Sequence, residues 1–172
     1  RVLDLGAGTG RSSVMVLRAR PKATLVASDL FGASFDEHFG PGGTPQDRLM
    51  ANLRAARVDG RAEVAVADMT KLPFEAASFD AAVSAYAMDH LNREGSGQAL
   101  VEAHRVLKPG GDLLLILVNN DAWTMLAFGP VLAHGGLRSS DWWRDKAIDV
   151  GFTLVEDGTS PATRYFLLRR RQ

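Results

Sequence analysis

Close to its start the chain passes from a short apolar run, Val2–Leu5, through Gly6-Ala7-Gly8-Thr9-Gly10 into a segment of helical character over residues 12–20 that Pro21 stops. A turn of this kind between a strand and a helix lets backbone come close to a ligand, with the first helical N–H groups pointing at it. It also restricts the fold, because strand, tight turn and helix in that order form the opening half of a unit whose next strand lies parallel to the first.

The rest of the chain keeps that rhythm. Strands are predicted over residues 23–28 (ATLVAS), 62–67 (AEVAVA), 79–84 and 113–118. Helices are predicted from Pro45, with Leu49, Met50, Leu53 and Ala56 on one face, over 98–107, and over 141–150 with Ser140 as the cap and Gly151 as the stop. The run 113–118, apolar at nearly every position, suits a central strand buried on both faces. Residues 152–156 and 163–168 read as a closing antiparallel pair turning at Asp157-Gly158. Between Phe31 and Thr44 lies a loop holding Gly32, Gly40, Pro41, Gly42 and Gly43, long enough to suggest a functional role. The expected architecture is α/β, one domain over residues 1–172, with a mostly parallel sheet between two helical layers.

Composition excludes several function classes. Twenty Lys and Arg balance 20 Asp and Glu, so no overall field draws the protein to a polyanion, and no nucleic-acid partner is expected. With no cysteine, and with His38, His90, His104 and His134 scattered, no metal site is expected. A reducing, cytoplasmic setting follows by default, and no apolar run approaches the roughly 18 residues of a membrane span. The chain opens on Arg1 directly before a buried-type strand, so a core excerpted from a longer protein, lacking an upstream N-terminal cap, is expected.

The turn's spacing is Gly-x-Gly-x-Gly. A dinucleotide fingerprint is Gly-x-Gly-x-x-Gly with a small third residue, and this chain has Arg11 there. Asp4, two residues before Gly6, repels a pyrophosphate and suits a ligand carrying an ammonium and a sulfonium; alternatively it caps the turn's own N–H groups. Asp29 follows Gly8 by 21 positions at a strand end, where a carboxylate can accept two hydrogen bonds from a ribose diol or simply face solvent. At the next strand end, Asp68 and Met69 suit an adenine, the carboxylate accepting from the exocyclic amine and the thioether lying on the ring, or else an ordinary turn.

Five blocks, VLDLGAGTG (residues 2–10), ASDL (27–30), VADMTKLPF (66–74), FDAAVSAYAMDHL (79–91) and EAHRVLKPGGDLLLI (102–116), resemble the class I S-adenosylmethionine-dependent methyltransferases. The similarity is greatest to methyltransferase type 11, typified by ubiquinone and menaquinone biosynthesis enzymes, and covers residues 1–118. It implies a Rossmann-like three-layer α/β/α sandwich with seven strands and an antiparallel final strand. It further implies S-adenosyl-L-methionine as cofactor, methionine over Asp4, Gly6, Ala7, Gly8, Thr9 and Gly10, ribose on Asp29 beside Leu30, adenine near Asp68 and Met69, and Ser84, Ala85 and Tyr86 lining the methyl-donor end.

Positioning donor and acceptor supplies much of the catalysis of methyl transfer, so no base is demanded. Asp89 and His90 are the nearest candidates if the acceptor needs one; the catalytic assignment stays open. The chain reads Ser84-Ala85-Tyr86-Ala87 where many enzymes acting on base amines carry Asn-Pro-Pro-Tyr, which with the neutral charge favours a small, lipophilic acceptor. Residues 119–136, with Trp123, Met125, Leu126, Phe128 and Leu132, form a lid, core packing or an acceptor pocket. A non-catalytic binding or scaffolding module is the alternative; an NAD-dependent oxidoreductase is disfavoured by Arg11 and by the absence of a Tyr-x-x-x-Lys pair.

Overall fold

A computed structural model of the chain describes residues 1–32, 35, 40, 42–119 and 138–172. Seven strands, β1 (Val2–Leu5), β2 (Leu25–Asp29), β3 (Ala62–Val66), β4 (Phe79–Ala85), β5 (Leu107–Val118), β6 (Phe152–Ser160) and β7 (Thr163–Arg170), form one sheet in the order β3-β2-β1-β4-β5-β7-β6. The first five are parallel, and β7 runs antiparallel to both its neighbours. Among the described residues four α-helices flank the sheet: α1 (Arg11–Ala19), α2 (Pro45–Ala55), α3 (Arg93–Val106) and α4 (Ser140–Val150).

Strand parity sorts the sheet's two faces. Leu25 and Ala27 point with Val2 and Asp4 toward α1 and α2, where Leu17, Leu49 and Leu53 are fully buried. Leu3, Leu5, Val26, Ala82, Leu113 and Leu115 point the other way, against Leu100, Ala103, Trp143 and Ala147 of α3 and α4. Both faces are therefore covered, giving the three-layer α/β sandwich the sequence implied. The chain travels outward from β1 to β3 and returns to β4 on the other side of β1, so the order reverses at the β1–β4 seam. In such sheets a crevice opens at that seam, beyond the carboxyl ends of the strands.

Several predicted details move. α3 begins at Arg93, five residues before the predicted start, with Asn92 accepting from the Gly95 N–H at 2.7 Å. Gly95, Ser96 and Gly97 argue against helix by propensity, but packing overrides them: a Cβ on Gly97 would stand 2.9 Å from Lys146 Cε of α4, and Ser96 Oγ donates to Met88 O. Ser139, one residue before the predicted cap, caps α4 by accepting from the Trp142 N–H. β5 is not sheathed equally on its two faces: Leu113, Leu115 and Leu117 are buried, while Leu114, Ile116 and Val118 are half-buried. The β6–β7 turn lies at Pro161-Ala162, not Asp157-Gly158. Asp157 stays in the strand because it pairs with Arg144 and Arg164, and Gly158 because the Tyr165 ring covers it from β7. Residues 33, 34, 36–39 and 41 of the expected long loop, and residues 120–136 of the expected apolar segment 119–136, lie outside the described residues.

Candidate active site

At the head of the seam the glycine turn is held from three sides. The N–H groups of Gly6 and Ala7 both donate to Ser28 O on β2, at 2.9 and 3.0 Å, and Asn52 of α2 donates to Thr9 O at 2.8 Å. Gly10 closes the turn with its N–H on Ala7 O and enters α1 in the left-handed region. Gly6 has φ +74°, and a Cβ there would meet Ala87 Cβ at 2.3 Å and Met69 Cε at 3.0 Å. This position excludes any side chain, since both the backbone and the neighbours forbid it. It also shows that the turn packs directly on the segment after β4 and on Met69.

Beneath the turn Asp4 is completely buried. Its Oδ2 accepts from Ser12 Oγ at 2.7 Å and Ser13 Oγ at 2.5 Å, while Oδ1 has no partner among the described residues. Burial pushes its pKa up from 3.8 to about 6, against the hydrogen bonds from Ser13 and Ser12 that lower it and with the Asp29 charge adding to the rise. The capping alternative fails in its stated form: the carboxylate binds the hydroxyls of α1, not the turn's N–H groups.

Asp29, at the end of β2, is the residue that reaches into the turn. Its Oδ2 accepts from Gly8 N–H at 2.9 Å and its Oδ1 from Phe31 N–H at 2.8 Å. A carboxylate has about four lone-pair directions, so each oxygen keeps one for a ligand. Leu30 beside it is 59% exposed, an apolar side chain at the mouth of the crevice. Asp68 folds back on its own chain, Oδ1 accepting from both N–H and Oγ1 of Thr70, at 2.8 and 2.7 Å. The ordinary-turn alternative therefore accounts for one oxygen of Asp68 and leaves Oδ2 open, with Met69 packed between Asp68 and Gly6.

The end of β4 divides its residues. Ser84 is fully buried on the α3 face, its Oγ without a partner among the described residues. Tyr86 is exposed, adopts φ +53°, anchors its N–H on Ile116 O of β5 and shares a 2.7 Å hydrogen bond with Thr163 Oγ1 at the start of β7. Ala85 lies half-buried between them. Of the two candidate bases, Asp89 is buried and holds the end of β5 by accepting from Val118 N–H at 3.1 Å, whereas His90 is exposed. Among the described residues no cluster of metal-ligating side chains occurs.

One group escaped the residue-level reading. Glu102 and Arg105 on α3 form a doubly bonded ion pair that also grips the β3–β4 loop. Their i, i+3 spacing inside the EAHR block was the available signal.

Comparison with known proteins supplies independent findings. The family described as "Methyltransferase domain" matches residues 3–115. A demethylmenaquinone methyltransferase of Clavibacter sepedonicus is 36% identical over 115 residues, which is 67% of this chain and 40% of that protein. A ubiquinone/menaquinone biosynthesis C-methyltransferase of Dinoroseobacter shibae is 31% identical over 119 residues, 67% of this chain and 41% of that one. The chain thus spans less than half the length of these relatives. The fold is shared by an O-methyltransferase family protein from Burkholderia thailandensis, with TM-score 0.81 at 20% identity, covering 99% of this chain and 51% of that chain.

Proposed function

Because this chain belongs to the class I S-adenosylmethionine-dependent methyltransferases, we propose that it holds S-adenosylmethionine against its glycine turn for methyl transfer to a small, partly apolar acceptor. The observation that carries the proposal is the bare, buried Oδ1 of Asp4 beneath the turn. A buried carboxylate with no cation is costly, and an ammonium brought to the turn offsets that cost where a pyrophosphate would increase it. The residues thus fit the donor.

When bound, S-adenosylmethionine supplies an electrophilic methyl on a sulfonium, transferred by in-line displacement. The chain's own part is to orient and to enclose. Asp29 fixes Gly8 by its N–H and keeps a lone pair on each oxygen for a diol. Leu30 and Met69 offer apolar surface to a base, and Asp68 Oδ2 an acceptor for its amine. Tyr86, on the exposed side of the β4 end, is assigned to the methyl-donor end of the site. The balanced charge, 20 against 20, favours an uncharged small molecule over a nucleic acid. Among the described residues no helix is long and apolar enough to cross a membrane.

Calorimetric titration with S-adenosylhomocysteine, the demethylated product, tests the proposal. Saturable binding by the folded chain is expected, with loss of at least about tenfold in affinity for Asp29→Ala, which removes charge-assisted bonds. Folded protein that gives neither saturable heat nor a thermal shift overturns it.

A further inference from the structure

Resting on the donor reading just given, we propose that Glu102 and Arg105 are positioning residues for recognition of the adenine, holding the β3–β4 loop so that Asp68 presents its free oxygen to the base amine. The loop, residues 67–78, is tied at its ends, Ala67 N–H donating to Asp29 O at 2.9 Å and the Ala77 and Ser78 N–H groups to Arg105 O and Val106 O at 3.0 and 2.8 Å; between them Asp68, Lys71, Pro73, Glu75 and Ala76 are exposed, while Met69, Leu72 and Phe74 pack on the core. The ion pair grips the main chain at Leu72 and Phe74. Glu102 Oε2 accepts from Leu72 N–H at 2.7 Å, while Arg105 donates through Nη2 to Leu72 O at 3.0 Å and through Nη1 to Phe74 O at 2.7 Å. Two further bonds lock the pair to itself, Arg105 Nε to Glu102 Oε1 and Nη2 to Oε2, both at 2.8 Å.

From Leu72 the restraint passes backward through a closed turn. Lys71 N–H donates to Asp68 O at 3.0 Å, and Thr70 holds Asp68 Oδ1 with its N–H and hydroxyl. A rigid turn hung from a fixed residue leaves the Asp68 carboxylate little freedom, and Met69, against Gly6, ties the same turn to the glycine turn. Guanidinium is the group for this task, since its planar fork can meet one carboxylate and two carbonyls at once. A hydrophobic contact at Leu72 alone would anchor the loop without fixing the direction of Asp68.

Discrimination between two ligands separates positioning from general support. S-adenosylhomocysteine and S-inosylhomocysteine differ at the base, whose exocyclic amine becomes a carbonyl in the second. Calorimetry on the parent should give an affinity about tenfold higher for the adenosine form, the worth of one charge-assisted hydrogen bond. Arg105→Met should lose about that factor for the adenosine form and less than about twofold for the inosine form, so that the ratio collapses. Asp157→Asn, which loosens an ion cluster on α4, β6 and β7 away from the loop, should leave the ratio intact. Should Arg105→Met not fold, Glu102→Gln carries the same measurement.

A ratio unchanged in Arg105→Met, or lost equally in Asp157→Asn, overturns the positioning role alone. A parent that binds both ligands equally overturns it by removing adenine readout at Asp68. A parent that binds neither overturns the donor reading itself.

Discussion

Asp4 under the glycine turn and Glu102 beneath the β3–β4 loop are both carboxylates taken from water, yet they have been treated in opposite ways. Glu102 is 8% exposed and meets a guanidinium across two bonds and a backbone N–H across a third, and this company holds its pKa below the ordinary 4.5. Asp4 is wholly buried, meets two hydroxyls and no cation, and is pushed up to about 6. The first carboxylate is satisfied by the fold. The second is not, and what it lacks is a positive charge that a ligand can bring. The α3 side supplies its own counter-ion, and the turn side leaves a place for one.

The largest effect should come from breaking the satisfied pair. Arg105→Ala leaves Glu102 buried and unpaired and should lower unfolding stability by about 2–3 kcal/mol at pH 7.5, the low end for such a loss because Arg105 is partly exposed. Urea denaturation measures it, and a cost under about 0.5 kcal/mol would put Glu102 in the same class as Asp4.

Asp4→Asn should act with the opposite sign. A folded pKa of about 6 against 3.8 unfolded means the native state binds the extra proton between those values. The contribution of Asp4 to stability is therefore greatest below pH 3.8 and is lost as pH rises through 6, by about 3 kcal/mol in all. Removing the charge should raise the stability of the ligand-free chain by up to about 2 kcal/mol at pH 7.5, allowing for imperfect amide bonding, with the gain gone by about pH 4. The same variant should bind S-adenosylhomocysteine poorly. A variant both less stable at pH 7.5 and unimpaired in binding would invert the comparison.

Ligand affinity of the parent should follow the same group. Between pH 7 and pH 5 Asp4 becomes largely protonated, and affinity for S-adenosylhomocysteine should weaken about tenfold, near 1.4 kcal/mol. The charge of Asp29 raises the Asp4 pKa by repulsion and so moves the loss of affinity to higher pH. Calorimetry across that range with Asp4→Asn as the flat reference isolates the effect. The smallest change is expected for Ser84→Ala. Its unpartnered hydroxyl lies on the α3 face, away from Asp4, so its removal should alter stability by less than about 1 kcal/mol and binding by less than about twofold; a larger binding loss would make Ser84 a second ligand group.

Much of this was legible in the residues. The strand-turn-helix opening, the apolar runs and the carboxylates at strand ends Asp29 and Asp68 are local patterns, since periodicity and turn chemistry act over a few residues. The early start of α3 was not legible, because Gly95 and Gly97 are disfavoured locally and are recovered by contact with α4 and with the turn after β4. Nor was the true hairpin turn: Asp157-Gly158 is a turn signal by itself, and it becomes strand only where Tyr165 covers the glycine and two arginines neutralise the aspartate.

By itself the sequence determined that a parallel sheet would carry a glycine turn at its first strand, with acidic residues at successive strand ends and no metal-binding thiols. Which carboxylates would be paired was decided only by tertiary structure. Arg105 stands three residues from Glu102 on one helix, but the carbonyls it joins to that pair come from a loop about thirty positions earlier, and the hydroxyls that reach Asp4 come from the helix beyond the turn. Charge is written residue by residue. Its cost is set by the water the fold removes and by the partners the fold brings.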